Sequence, residues 1–88
     1  MKSQNELLEI ARIVQIARAE MNEFLLDARE RYAPSELSRI IGLESSKTLA
    51  TLISKRDKKV YIGLERAGVF VERIILHERE KRMEAHDE

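Results

Sequence analysis

Lys47, Thr51, Ser54 and Lys58 follow one another at steps of four, three and four. Sorted at about 100° per residue they share one side of a helix, flanked by Thr48 and Lys55, while Leu49, Leu52 and Ile53 share the other. The polar side carries no acid. Hydroxyl and ammonium groups are the donors that reach phosphate oxygens and base edges, so this face has the chemistry of a helix that reads a nucleic acid. The stretch ends in Lys55-Arg56-Asp57-Lys58-Lys59. Such a run suits phosphate contact, and equally a solvated helix end, where cations meet the negative pole of the helix dipole.

Other constellations fail on their own terms. Gly63 and Gly68 have the spacing of a phosphate loop, but Val-Phe follows where Lys-Ser or Lys-Thr would hold the outer phosphates and Mg²⁺. His77-Glu78 is half of a zinc-protease helix motif, yet position 81 is Lys, and the other histidine, His86, lies nine residues on. Both histidines sit in a polar tail, and no serine has the strained elbow of a nucleophile. The residues therefore point to no enzyme, no metal and no cofactor.

An 88-residue chain buries only about 60 to 65 % of its unfolded surface, so its core is thin and association with a second copy is expected. Cysteine is absent, which excludes disulfides and thiolate zinc sites. No apolar run reaches the roughly 18 residues of a membrane span, and no signal-peptide pattern opens the chain; the expected location is cytoplasmic. Charged residues make up 36 % of the chain at zero net charge, so any basic surface must be local. Residues 1–32 have a net charge of −1, residues 33–59 of +3 and residues 60–88 of −2.

The elements that must position these groups can be placed in turn, all within one domain, 1–88. Residues 5–31 lack Gly and Pro and predict a long helix. Leu7, Ile10, Val14, Ala17, Met21, Phe24 and Ala28 form a heptad seam along it, and Leu8, Ala11, Ile13, Ile16 and Leu25 widen the stripe. One flank is expected to pack on the domain and the other, through Leu7 to Phe24 of the seam, on a partner copy; the alternative is one broad core face inside a monomer. Pro34 ends the helix, since the residue before a proline is pushed from the helical region. A short helix with Leu37, Ile40 and Ile41 inside should then stop at Gly42. A third, over 44–57, starts at the hydroxyl caps of Ser45 and Ser46, which makes 34–57 a helix-turn-helix.

Residues 59–75 admit two readings. As a hairpin, the alternating residues 60–64 pair with 69–76 across a Glu65-Arg66-Ala67-Gly68 turn. As a helix from about Glu65, they put Phe70, Val71, Ile74 and Ile75 on one face, with Gly68 costing about 1 kcal/mol. The Val and Ile content favours the hairpin. The charged residues 76–88 should form a solvated tail or terminal helix that frays.

The stretch PSELSRIIGLESSKTLATLI resembles the helix-turn-helix of bacterial and archaeal regulators, and KVYIGLERAGVFVERI resembles the wing that follows it in winged-helix proteins. Leu37, Ser38 and Ile41-Gly42-Leu43 match the shared pattern; Leu49 and Leu52 stand one position later than its strict form, where Thr48 and Thr51 are found. MarR-like, PadR-like and MerR-excisionase-like groups each share pieces. The resemblance implies a mainly α fold with a small β-hairpin, a winged helix-turn-helix carrying a long N-terminal dimerisation helix. It further implies a homodimeric transcriptional regulator of double-stranded DNA, with half-sites about one helical turn apart. Lys47, Thr48, Thr51 and Ser54 would stand near base edges, Lys55, Lys58 and Lys59 on phosphates, and Arg66 on a wing. A module of the same shape that binds a partner protein is the alternative.

Overall fold

The computed structural model describes residues 1–86. Within them the chain is mainly α-helical with one small antiparallel hairpin. Helix α1, Gln4–Arg31, starts at an N-cap: the Ser3 hydroxyl accepts from the Glu6 amide at 3.2 Å and also donates to the Glu6 carboxylate at 3.2 Å. It stops at Tyr32, which with Ala33 is extended ahead of Pro34. Helix α2, Pro34–Ile41, has Pro in its first turn and closes on Gly42 in the left-handed region, φ 82°. Helix α3, Ser46–Leu52, is capped by the Ser45 hydroxyl, which accepts from the Thr48 amide at 3.2 Å.

From here the chain departs from the expected order. The third helix does not reach residue 57. Ile53 is extended and fully buried, and the two-residue strands β1, Ile53–Ser54, and β2, Lys59–Val60, pair in the register Ile53 with Val60 and Ser54 with Lys59. Residues 55–58 form the loop, in which the Ser54 hydroxyl accepts from the Asp57 amide at 3.1 Å and Lys58 takes a left-handed φ of 53°. A β-branched residue that can fill the core from a strand ends the helix here. The hairpin expected over 59–75 is accordingly absent in that place. Residues 64–75 are helical, the reading that the Val and Ile content disfavoured, and belong to helix α4, Leu64–His86. Gly68 lies inside α4, and a Cβ on it would stand 3.9 Å from the Met21 sulfur, in ordinary contact. Leu76 and residues 79–83 continue the helix in solvent; positions 87 and 88 of the expected tail lie outside the described residues.

Helices α1 and α4 run side by side in the same direction. Met21 meets Gly68 near one end, and Arg31 meets Glu78 near the other, at 2.9 Å. Between them and the α2–α3–hairpin unit lies the core: Leu25, Ala28, Leu37, Ile41, Leu49, Ile53, Val60, Ile62, Ala67, Phe70 and Ile74. Three arginines fasten the layers by donating to main-chain carbonyls: Arg29 to Ile53 at 3.1 Å, Arg18 to Ile62 at 3.2 Å and Arg73 to Ile41 at 2.7 Å. A fourth, Arg31, bonds Asp27 at 2.6 Å and shares the Glu78 carboxylate with the Tyr32 hydroxyl, 3.1 Å away.

Candidate nucleic-acid interface

The seven-residue α3 keeps Leu49 wholly inside and packs Leu52 partly on the core, so its opposite side is open. Lys47, Thr48, Ala50 and Thr51 are all exposed and none is acidic. The hydroxyl of Thr51 donates back to the Lys47 carbonyl at 3.1 Å, and that of Thr48 shares a hydrogen bond of 3.1 Å with Ser45. Their oxygens keep lone pairs for an incoming donor; the ammonium of Lys47, the cation of this helix, has no ion-pair partner among the described residues.

Ser54 and Lys58, expected on the same helical face with Lys55 beside them, and Lys59, expected on phosphates, stand instead on the hairpin. Ser54 is half-buried and its hydroxyl holds the loop, which removes it from base contact. Lys55, Arg56, Lys58 and Lys59 are exposed around that loop, with Asp57 the single acid among them. Lys55 lies 3.4 Å from the Glu30 carboxylate of α1, both partners more than half exposed, a contact worth little in water. Lys59 hovers 6.0 Å from the ring of Tyr61, an exposed aromatic whose hydroxyl reaches Asp57 at 3.5 Å.

Arg56 and Tyr61 are the residues that sequence reasoning missed. A helix carried through to residue 57 places Arg56 on the Leu49 side, among core positions, and a strand from residue 60 leaves Tyr61 as an ordinary alternating residue. The loop turns Arg56 outward. Arg66 moves the other way: it sits in the first turns of α4, its guanidinium 5.4 Å from the Phe70 ring, at the level of α1 where Arg18 and Met21 lie. The hairpin is anchored farther along, at Arg29 and Glu30. Arg66 is therefore no part of a hairpin tip.

Of the expected dimer seam, Leu7, Ile10 and Val14 are exposed and Ala17 is half-buried, whereas Met21 and Phe24 are half-buried against the protein's own core. Among the described residues no three His, Asp or Glu side chains gather as a metal site would require. No described helix is long and apolar enough to cross a membrane. Comparison with known proteins finds no family model, no curated protein and no solved structure that matches the chain.

Proposed function

We propose that this protein is a cytoplasmic, sequence-specific regulator that binds double-stranded DNA as a homodimer, through a winged helix-turn-helix. The observation that carries the reading is the acid-free face of α3 followed at once by a hairpin with four exposed cations, Lys55, Arg56 and Lys58 in its loop and Lys59 on β2. Helix α3 would enter the major groove, with Lys47, Thr48 and Thr51 toward base edges, and the hairpin would act as the wing, its cations on the flanking phosphates. The wing is then residues 53–60, not 59–75. Tyr61 adds a flat apolar surface beside the wing that can lie along a sugar.

Two or three cations per copy on phosphates make four to six per dimer, for which the log–log dependence of affinity on salt has a slope of roughly −4 to −5. A gel shift or anisotropy titration against duplexes from the DNA flanking its own coding sequence, at several salt concentrations, measures it. A flat salt dependence with every duplex overturns the reading. Lys47→Glu with Arg56→Glu should abolish binding with the helical circular-dichroism signal unchanged.

The exposed apolar part of α1 and the zero net charge favour a second reading, a protein-interaction module of the same shape. Retention on heparin at low salt supports DNA; passage through heparin together with a co-purifying protein supports the module.

A further inference from the structure

Helix α1 outruns the body it packs on. Helix α4 begins at Leu64, and the parallel pairing of Met21 with Gly68 places that start near Ala17, so residues 4–17 project about 20 Å beyond it. Over residues 7–17 the only charged side chains, Glu9 and Arg12, share the same side of the helix, and the rest of the circumference is apolar apart from Gln15. Leu7 is 51 % exposed, Ile10 40 %, Ile13 60 % and Val14 39 %. Ile10, Val14 and Ala17 lie in line with Met21, Phe24 and Ala28, the positions that α4 and the core cover farther along. The stripe that needs covering therefore continues, and α4 stops.

We infer that the missing cover is the same segment of a second copy, laid antiparallel across a two-fold axis between Ile10 and Val14. This deepens the homodimer part of the proposed function and is independent of DNA.

Three features select that occupant. Length fits to within a turn: with the axis at residue 12, Leu7 of one copy faces Ala17 of the other, the level at which α4 begins, so residues 7–17 of each copy fill the slot in line with the other's α4 and only the first turn, residues 4–6, overlaps the start of that helix. Volume fits: Leu7 of one copy meets Ala17 of the other and Ile10 meets Val14, each layer pairing a larger side chain with a smaller one. Direction follows from obstruction, because a parallel pair would carry each α1 on into the partner's α4, which already occupies the stripe from Met21 to Ala28. Half the wall of a helix 20 Å long is about 400 Å² per copy, some 800 Å² in all, below the roughly 1,200 to 2,000 Å² of standard stable interfaces. The dimer should accordingly be weak, with a Kd in the micromolar range.

Sedimentation equilibrium of the full chain without DNA should show a monomer–dimer equilibrium, shifted to monomer by Val14→Glu at unchanged helicity. The chain has no cysteine, so single cysteines report direction cleanly. Mild oxidation should link Ile13→Cys, which lies within about one residue of the axis, and not Leu7→Cys, whose mate lies about 15 Å away along the helix. Preferential linking of Leu7→Cys, a protein monomeric at every concentration, or a stable tetramer overturns the inference. Its failure is separable from failure of the DNA reading. Wild-type protein that stays monomeric yet binds duplex with a steep salt slope sinks the pairing alone; a dimer with no salt-dependent duplex binding sinks the DNA reading alone.

Discussion

At the scale of single residues, Gly42 and Glu78 each tie two elements with one group. Gly42 takes a positive φ, and a Cβ there would run into the guanidinium of Arg73, which caps the Ile41 carbonyl. Gly42→Ala should therefore lose more than the about 1 kcal/mol of backbone strain alone, as the Arg73 bond is displaced too; urea unfolding measures the difference. The Glu78 carboxylate is pushed up by burial, but hydrogen bonds from Arg31 and Tyr32 outweigh this and hold it below its ordinary value of 4.5, while the same contact raises Arg31. Burial, then the bond to Glu78, raises the Tyr32 phenol. A carboxylate with a depressed folded pKa contributes stability that is fully present above its unfolded pKa and is lost as pH falls through the folded one. Stability should thus decline below about pH 4.5, and Glu78→Gln should shrink that acid-side decline relative to neutral pH; an unchanged acid limb would count against the contact.

At the scale of elements, the decisive question is how residues 53–75 divide between strand and helix. Gly68 tests the answer. Inside a helix with an ordinary 3.9 Å contact waiting for a Cβ, Gly68→Ala should raise stability by about 0.5 to 1 kcal/mol in thermal or urea unfolding. In a left-handed hairpin turn the same change would lower it, so the sign alone discriminates. Lys58 tests the hairpin at 53–60. It holds a φ of 53°, which suits glycine or asparagine, and Lys58→Asn should relieve roughly 0.5 to 1 kcal/mol while removing one cation from the loop. If Lys58 lies on phosphate, duplex affinity falls as stability rises, and the salt slope flattens by roughly 1 to 2 for a dimer.

At the scale of the whole molecule, a thin core is shared by all six elements, and the apolar residues sort into two kinds by what covers them. Leu25 is fully buried, and Leu25→Ala should cost about 2 to 5 kcal/mol at any protein concentration. Ile10 is open in one copy, and Ile10→Ala should cost little at high dilution and more as concentration rises, if a second copy covers it. Thermal unfolding at two concentrations separates the two. Much of this organisation was legible in the chain because its signals are local: residues 5–31 lack Gly and Pro and form α1, Pro34 ends it, Gly42 closes α2 and Ser45 caps α3, each through a constraint acting along the chain nearby. The acid-free face of Lys47, Thr48 and Thr51 was legible for the same reason, since Leu49 fixes the orientation of a short helix. The boundary at Ile53 and the state of residues 64–75 were not. A run of Val, Ile and Phe with a glycine satisfies both periodicities, and intrinsic preference leaned to strand. Tertiary burial decided it: as a helix the run sends Ala67, Phe70 and Ile74 together into the core against α1 and α2, while Ile53 and Val60 close the core from the hairpin. That exchange moved Lys55 and Lys58 from a helix face to a loop, set Lys59 next to it on β2, brought Arg56 out beside them and took Arg66 away. Residue chemistry was thus set by sequence, and the surface on which it is displayed by which apolar side chains the fold could bury at once.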